Sequence, residues 1–208
     1  MGYNIIMSKE FDNNKFDITK NEDVFQGPNS SIDSVTLSSG GHALNLLRKK
    51  VYGCPVEFEF MRGPNWHTEL KEKGYPVVPT YRYDAENRIE YLTDLRRGGT
   101  HQIIDFCNPV DYEKVYVSNM QELEGDMEEL AKKAADDGLI INEPNISFDI
   151  ELSSGIAKVL LVDLREIGYE PFYDGPIATR EQVLRHDQEI MRGHIERLKA
   201  IALEELQS

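Results

Sequence analysis

The order of apolar and polar side chains divides the chain into a strand-rich first half and a helix-rich second half. In the first half, short runs that alternate or are β-branched predict three antiparallel strands. These strands cover Ser34–Leu37, His42–Val51 and Val56–Met61. A short helix is predicted over residues 65–73 and ends at Gly74. After it, Val77–Tyr83 and Arg88–Leu92 predict a hairpin.

Helical spacing dominates the second half. Apolar side chains recur at every third or fourth position over Met120–Gly138, and Ser118–Gln121 has the sequence of a capping box at the start of that helix. A long final helix begins at a second capping box, Thr179–Gln182. A hairpin between the two helices is predicted from Asn145–Ile150 and Ile156–Asp163.

These elements together predict an α+β protein with two lobes. Residues 1–30 are polar and predict a flexible leader. Residues 31–208 are predicted to form one domain. Its β-rich first lobe would cover residues 31–95 and its helical second lobe residues 96–208.

Composition excludes several classes of protein. The chain has 208 residues, of which 40% are hydrophobic and 29% charged, as in ordinary globular proteins. No apolar run approaches the ~20 residues that span a bilayer. Cys54 and Cys107 are too few for a disulfide framework, so we expect a protein of the reducing cytoplasm.

The net charge of −14 is shared unequally along the chain. Residues 1–104 contain 14 acidic and 13 basic side chains, whereas residues 105–208 contain 23 acidic and 10 basic ones. This charge disfavours binding to nucleic acid and to anionic membranes. We therefore expect neither as a partner, an anion-binding site only in the first half, and a basic protein as the better target of the second half.

The second hairpin carries one candidate site. If its turn is centred near Ser154, Asn145 and Asp163 lie opposite each other at the open end of the hairpin. An amide oxygen beside a carboxylate suits Mg²⁺, which takes a few protein oxygens and completes its shell with substrate phosphates. A plain alternative is that Asp163 caps a turn at the end of its strand.

A second candidate site follows the first predicted strand. Gly40 and Gly41 form a glycine turn whose backbone N–H groups could hold an anion. If Val56–Met61 is a strand, Arg62 falls opposite Leu44, close to this turn, and a guanidinium suits phosphate oxygens. Alone, each feature also fits an ordinary turn and a solvated cation.

The order of these features resembles that of the protein-kinase-like superfamily. A glycine turn is followed by a strand that ends in a cation, an acidic helix, a hairpin, a long helix and a hairpin flanked by Asn and Asp. Protein kinases bind ATP with parts of this kind. The chain looks most like very small, divergent bacterial kinases, including effector-type toxins, over residues 34–170. The segments that carry the likeness are Leu70–Val78, Tyr91–Leu95, Asn145–Phe148 and Val162–Leu164.

The resemblance implies a phosphate-binding role for the first lobe. The residues that would cover the nucleotide phosphates are Ser39, Gly40, Gly41 and His42. Arg62 would replace the usual lysine and contact the phosphates. Its acidic partner would be Glu69, with Glu72 as the alternative on the next turn of the helix.

The resemblance also implies an adenine-binding segment and a metal site. Thr93, Asp94 and Leu95 would run past the adenine and offer backbone hydrogen bonds. Asn145 and Asp163 would bind Mg²⁺, and with Arg62 they would carry the catalysis.

The chain departs from the kinase pattern at three places. The third predicted strand has no lysine, and Leu164-Arg165 follows Asp163 where kinases have Phe-Gly. The catalytic Asp of kinases stands five residues before the metal-binding Asn, and here that position is Ile140. The acidic residues nearest to it are Glu143 and Asp137.

We therefore expect an ATP- and Mg²⁺-dependent phosphotransferase that acts on Ser, Thr or Tyr hydroxyls of a protein, with ATP between Gly40-Gly41 and Asp163. Two alternatives remain open. One is a pseudokinase that binds nucleotide without transferring phosphate, because Ile140 replaces the base. The other is an acidic interaction module without catalysis. Secretion into a host cell as an effector is implied only by the resemblance.

Overall fold

The computed structural model describes residues 9–10, 15–52, 57–96, 99–106, 112–164, 167 and 178–203. The chain divides into two compact units, Met1–Arg97 and Gly98–Ser208. The junction expected from the sequence, at residues 95–96, lies close to this division. Both units combine strands with helices, and the protein is α+β.

The first unit is built on one sheet of six strands. They are β1 (Lys9–Glu10), β2 (Asp17–Gln26), β3 (Ser30–Ser39), β4 (His42–Val51), β5 (Tyr81–Asp84) and β6 (Ile89–Thr93). Their order in the sheet is β1-β5-β6-β4-β3-β2, and all neighbours are antiparallel except β1 and β5. The buried cluster of this sheet contains Val35, Leu37, Leu46, Ile89 and Tyr91.

Strand β2 corrects the expectation of a flexible leader. Residues 17–26 form ten residues of strand paired with β3. Nearly all of their side chains are exposed, and Ile18 packs against the core cluster. An edge strand held mainly through its backbone lacks apolar alternation, so polar composition alone was a poor guide. Residues 1–8 and 11–14 of the expected leader lie outside the described residues.

Helix α1 (Glu57–Glu72) corrects the expectation of a third strand over Val56–Met61. Val56 itself lies outside the described residues. Over residues 61–72, the part of the helix whose side chains the structure describes, the buried positions are Gly63, Pro64, His67 and Leu70. They recur at helical spacing, but three of them are not typical core residues, so the five-residue alternation that precedes them was misleading.

The second unit contains two helices and a small sheet. Helices α2 (Met120–Asp137) and α3 (Arg180–Ile201) accompany an antiparallel sheet of three strands. They are β7 (His101–Ile104), β9 (Ile146–Glu151) and β10 (Ile156–Leu161), and their order in the sheet is β10-β9-β7. A separate parallel pair joins β8 (Val115–Tyr116) to β11 (Ala202–Leu203). The two long helices and the β9–β10 hairpin confirm the sequence predictions.

Most predicted helix ends are also confirmed. Gly138 ends α2 with a φ of 68°, and Thr179 and Gln182 form the capping box of α3. The capping box expected at Ser118 is wrong, because the residue before α2 is Asn119. The Asn119 side chain instead bonds both backbone groups of Ala157 on β10, at 2.8 and 2.9 Å, and so ties the helix start to the sheet.

Candidate active site

The β9–β10 hairpin brings Asn145 and Asp163 together. Ile146 pairs with Leu161 at the open end of the hairpin, and the N–H of Val162 donates to the carbonyl of Asn145 at 2.9 Å. The register differs by one position from the one expected, but the predicted proximity of Asn145 and Asp163 is confirmed. The hairpin therefore delivers an amide and an aspartate to one point of the second unit.

The side chain of Asn145 is completely buried and bonds only backbone groups. Its Oδ1 accepts from the N–H of Asn142 at 2.8 Å. Its Nδ2 donates to the carbonyl of Asp163 at 3.1 Å and to that of Val162 at 3.4 Å. A buried amide with both ends occupied does not fit the role of a metal ligand. Asn145 instead fixes the loop before β9 to the chain after β10.

Asp163 lies in a different environment. It is exposed and has a φ of 47°, a left-handed conformation that Asp and Asn adopt more readily than most residues. The residue after it, Leu164, is buried, and so is Leu161 two residues before it. The backbone on both sides is thus anchored, and the carboxyl group could supply one oxygen ligand to a hard cation. Arg165, at the position where protein kinases have glycine, lies outside the described residues.

A buried carboxylate of α3 holds the loop that leads to Asn145. Oδ1 of Asp187 accepts from the N–H of Ile141 at 3.2 Å, and Asp187 is fully buried. Burial raises the pKa of Asp187 to about 7, although the hydrogen bond from Ile141 acts in the opposite direction. The loop between α2 and β9 is therefore fixed by Asp187 at one point and by Asn145 at another.

Glu143, one of the two acids near Ile140, is already engaged. It forms an ion pair with Arg197 of α3, and this hydrogen-bonded pairing lowers the pKa of Glu143. The Arg197 guanidinium also lies 5.8 Å from the ring centre of Phe106. The pairing makes Glu143 a poor base. The other acid, Asp137, lies 3.5 Å from the ammonium of Lys133 on the same helix.

His194, also on α3, lies close to both members of this ion pair. Its ring is fully buried against Phe106 and Phe148, with ring centres 5.9 and 6.4 Å away. Burial lowers the pKa of His194 to about 4, and Arg197 lowers it further while Glu143 opposes the change. His194 is therefore neutral at physiological pH and acts as an aromatic core residue.

Gly40 and Gly41 form the two-residue turn between β3 and β4. Their φ angles are 57° and 81°, and Ser39 pairs with His42 directly before and after them. Two consecutive left-handed residues are what a tight type I′ hairpin requires, and glycine adopts them without strain. The four residues assigned to the phosphates are thus an exposed hairpin tip, and the requirements of that turn explain both glycines.

Arg62 does not occupy the predicted strand end. It lies within α1, and Leu44, its expected partner across the hairpin, pairs with Leu37 of β3 instead. Glu69, the expected acidic partner of Arg62, is on the same helix and forms an ion pair with Lys73 at 3.1 Å. The expected geometry of a cation on a strand facing an acid on a helix is therefore wrong for this pair.

Strand β4 carries three consecutive cations near its end. Arg48 pairs with the buried Asp33 of β3 at 2.6 Å. Burial raises the pKa of Asp33, but the hydrogen bonds from Arg48 and Lys20 outweigh this effect and lower it. Lys49 and Lys50 follow Arg48. Strands β2, β3 and β4 have ten residues each and follow one another directly before α1. Strand β4 is therefore the third long strand of the first unit.

The segment Thr93–Leu95 ends the sheet of the first unit. The N–H of Thr93 already donates to the carbonyl of Thr80 at 3.1 Å. The carboxylate of Asp94 is bound by the Arg96 side chain at 2.8 and 3.0 Å, and Ser34 donates to it at 3.3 Å. Burial would raise the pKa of Asp94, but the hydrogen bonds from Arg96 lower it. Asp94 therefore has a structural role at this position.

Sequence patterns assign no role to Asp187 or His194, and both lie on the buried side of α3. A helical repeat through α3 would have placed them there. The buried positions of the helix are Val183, Asp187, Met191, His194, Ile195 and Leu198. The helical spacing of these six positions marks the buried side of α3. A search for apolar residues alone does not find the whole set, because Asp187 and His194 are polar.

Comparisons with known proteins add no family to this description. No protein-family model matches the chain, and no curated protein sequence matches it. Within the described residues there is no cluster of three or more His, Cys, Asp or Glu side chains suited to a metal ion. None of the described helices combines the length and the apolar character needed to cross a membrane.

Proposed function

We propose that the protein is a small, divergent kinase-like phosphotransferase that binds Mg²⁺·ATP and transfers the γ-phosphate to a hydroxyl group of a protein. The observation that carries the proposal is the placement of Lys49 on the third long strand, on the same side of the sheet as α1. In protein kinases the lysine that contacts the phosphates occupies the third strand and pairs with an acid of the helix that follows.

The strand register supports this placement. Lys49 lies opposite Glu90, and Glu90 shares its face of the sheet with Leu92 two residues later. Leu92 in turn lies opposite Tyr81, whose ring stacks on His67 of α1 with ring centres 4.7 Å apart. Lys49 and α1 are therefore on the same side of the sheet. Glu90, which is buried, is the acid directly across from Lys49.

The proposal moves the phosphate loop from Gly40-Gly41 to the turn between β2 and β3. Gly27 lies in this turn, and its N–H donates to the carbonyl of Ser30 at 2.9 Å. The turn lies at the same end of the sheet as Lys49, because Ser30 pairs with Val51. Gly40-Gly41 lies at the opposite end, roughly 23 Å away at about 3.3 Å per strand residue.

The second unit supports the proposal through Asp163. An exposed carboxylate directly after a buried hairpin is suited to one coordination position of a magnesium ion that the nucleotide brings with it. Asn145 would set the position of Asp163 through its hydrogen bond rather than bind the metal. The loop before β9 is held by Asp187, so the carboxylate would be presented by a fixed frame.

One observation favours a second candidate, a pseudokinase. Ile140 stands where a base would be needed, and Glu143 is paired with Arg197. A positioned base contributes typically ~10²–10⁴-fold to such reactions, whereas phosphoryl transfer depends chiefly on positioning and charge neutralisation. Slow transfer is therefore compatible with this site, and so is binding without transfer.

Two assays separate the candidates. Thermal unfolding with and without Mg²⁺·ATP tests binding, and a hundredfold excess over the dissociation constant should stabilise the fold by about 2.7 kcal/mol. Radiolabel transfer from γ-labelled ATP, compared between wild type and Asp163→Asn, then tests catalysis. Binding with transfer that Asp163→Asn abolishes supports the kinase, and binding without transfer supports the pseudokinase. Absence of binding contradicts both.

A further inference from the structure

A groove of about 260 Å³ lies between the two long helices of the second unit, α2 and α3. Glu124 near the start of α2 pairs with Lys199 near the end of α3. Asp136 near the end of α2 pairs with Arg180 at the start of α3, so the two helices are antiparallel. The groove is slightly smaller than the ~300–1,000 Å³ of typical small-molecule pockets, so a small ligand suits it best.

The floor of the groove is apolar. It is formed by Met127 of α2 and by Met191 and Ile195 of α3, whose exposed fractions are 2%, 3% and 5%. Methionine side chains are flexible and polarizable, so they adapt to apolar groups of different shapes. The axes of packed helices are only about 8–10 Å apart, which makes a groove between them narrow. The floor therefore favours an unbranched apolar group.

An ion-pair bridge occupies one end of the groove. The ammonium of Lys199 lies 2.7 Å from a carboxylate oxygen of Glu124 and 3.3 Å from one of Glu196. All three side chains line the groove. Because they are engaged with one another, the other charged groups of the lining decide which ligand the groove can bind.

Those other charged groups are Glu128 of α2 and Arg192 of α3. Interpolation between the two ion pairs that join the helices places Glu128 opposite Arg192. Both side chains are exposed, and among the described residues neither has an ion-pair partner, so they are not paired with each other. The groove thus presents a carboxylate and a guanidinium on opposite walls, above an apolar floor.

A zwitterion fits these two walls better than an ion of one sign. An anion bound by Arg192 would be repelled by Glu128, and a cation bound by Glu128 would be repelled by Arg192. A ligand that carries both an ammonium and a carboxylate gains from both walls. Guanidinium groups bind carboxylates through two parallel hydrogen bonds, and carboxylates accept from ammonium groups. Gln188, which also lines the groove, adds an amide that can donate and accept.

We propose that the groove between α2 and α3 binds a free α-amino acid with an unbranched apolar side chain. Glu128 accepts from the α-ammonium group, Arg192 donates to the α-carboxylate, and the side chain of the ligand lies on Met127 and Met191. The proposal goes beyond the proposed function and does not depend on it, since none of these residues belongs to the proposed nucleotide site.

The test is a set of calorimetric titrations of the full chain with L-methionine and three derivatives of it. N-acetyl-L-methionine lacks the ammonium group, L-methioninamide lacks the carboxylate, and N-acetyl-L-methioninamide lacks both. The decisive variants are Glu128→Gln and Arg192→Gln. Glu129→Gln and Arg185→Gln are the matched controls, since both residues are exposed on the same two helices and do not line the groove.

We expect wild type to bind L-methionine more tightly than any of the three derivatives. Glu128→Gln should weaken the binding of L-methionine and L-methioninamide roughly tenfold, the loss expected for one hydrogen bond between charged groups, and should leave N-acetyl-L-methionine unaffected. Arg192→Gln should show the reverse pattern, with loss for the two ligands that have a carboxylate and none for L-methioninamide. Both controls should match wild type.

Three results would overturn the amino-acid site. The first is a wild-type protein that does not bind L-methionine at millimolar concentration. The second is binding of N-acetyl-L-methioninamide as tight as that of L-methionine, which would assign the groove to an apolar segment of a peptide. The third is equal loss in the decisive variants and in the controls, which would show an effect of overall charge. Each of these results leaves the proposed function intact.

Discussion

The side-chain amide of Asn145 donates to the backbone carbonyl of Asp163 at 3.1 Å, so one buried side chain fixes the position of the carboxylate proposed to bind the metal. The hydrogen bond is made to the main chain of Asp163 and does not depend on its side chain. The two residues can therefore be tested separately, one for stability and one for binding.

We expect Asn145→Ala to lower the free energy of unfolding by about 1–3 kcal/mol, because it removes a fully buried amide that bonds the N–H of Asn142 and the carbonyl of Asp163. Asp163→Asn should leave the free energy of unfolding nearly unchanged, since Asn tolerates the same left-handed backbone and retains the carbonyl that Asn145 binds. Urea unfolding of the two variants checks this. Equal destabilisation by both would contradict the division of roles.

Asp187 should make the stability of the protein depend on pH. Its pKa is raised from 3.8 to about 7 in the folded state, so the folded protein binds a proton that the unfolded chain has already released between these values. The contribution of Asp187 to stability therefore falls as pH rises from about 4 to about 7, and levels off above that. One pKa unit corresponds to about 1.4 kcal/mol, so the total change is a few kcal/mol at most.

Asp187→Asn should remove this part of the pH dependence, because the amide oxygen can still accept from the N–H of Ile141 and carries no charge. Urea unfolding at pH 5 and at pH 7.5 measures it. Relative to wild type, the variant should gain stability at the higher pH. A variant with the same pH profile as wild type would show that Asp187 is ionised throughout this range.

The two glycine turns of the first unit should respond differently to substitution. Gly40→Ala should destabilise the protein by about 1 kcal/mol, since alanine is strained at a φ of 57°, and it should leave ATP affinity unchanged. Gly27→Ala should weaken Mg²⁺·ATP binding, because its Cβ would lie 2.7 Å from ring carbons of Phe25 and force this exposed side chain to move beside the turn. Gly125→Ala is the control.

The control should act in the opposite direction on stability. Gly125 lies within α2 and has open space around its Cβ position, so alanine there should stabilise the helix by up to about 1 kcal/mol. Thermal unfolding and ATP titration of the three variants form the test. Loss of ATP affinity in Gly40→Ala, with Gly27→Ala unaffected, would return the phosphate loop to the β3–β4 turn.

The sequence is a good guide to the elements whose side chains alternate or repeat regularly. The β5–β6 and β9–β10 hairpins and helices α2 and α3 were predictable because one face of each is apolar and the other polar. Strand β2 was not, since nearly all its side chains are exposed. The second half of helix α1 was predicted over residues 65–73, whereas its first half was taken for a strand, because the buried Gly63 and Pro64 carry no hydrophobic signal.

The candidate site was predictable only where a hairpin defines it. The turn at Leu152–Gly155 fixes the register of β9 and β10, and the register brings Asn145 to Asp163. Which atoms of Asn145 would meet which atoms of Asp163 depends on the loop before β9, and a sequence pattern does not describe such a loop. Arg62 was misplaced for a simpler reason. It was expected at the end of a strand over Val56–Met61, but it lies within helix α1.

The most direct test of the proposed function is a calorimetric titration of the full chain with Mg²⁺·ATP, made on wild type, Lys49→Gln and Arg62→Gln. Lys49 should contact the phosphates and Arg62 should not. We predict binding by wild type, at least tenfold weaker binding by Lys49→Gln, and wild-type affinity for Arg62→Gln. A wild-type protein that does not bind Mg²⁺·ATP, or a Lys49→Gln variant that binds it as tightly as wild type, would contradict the assignment.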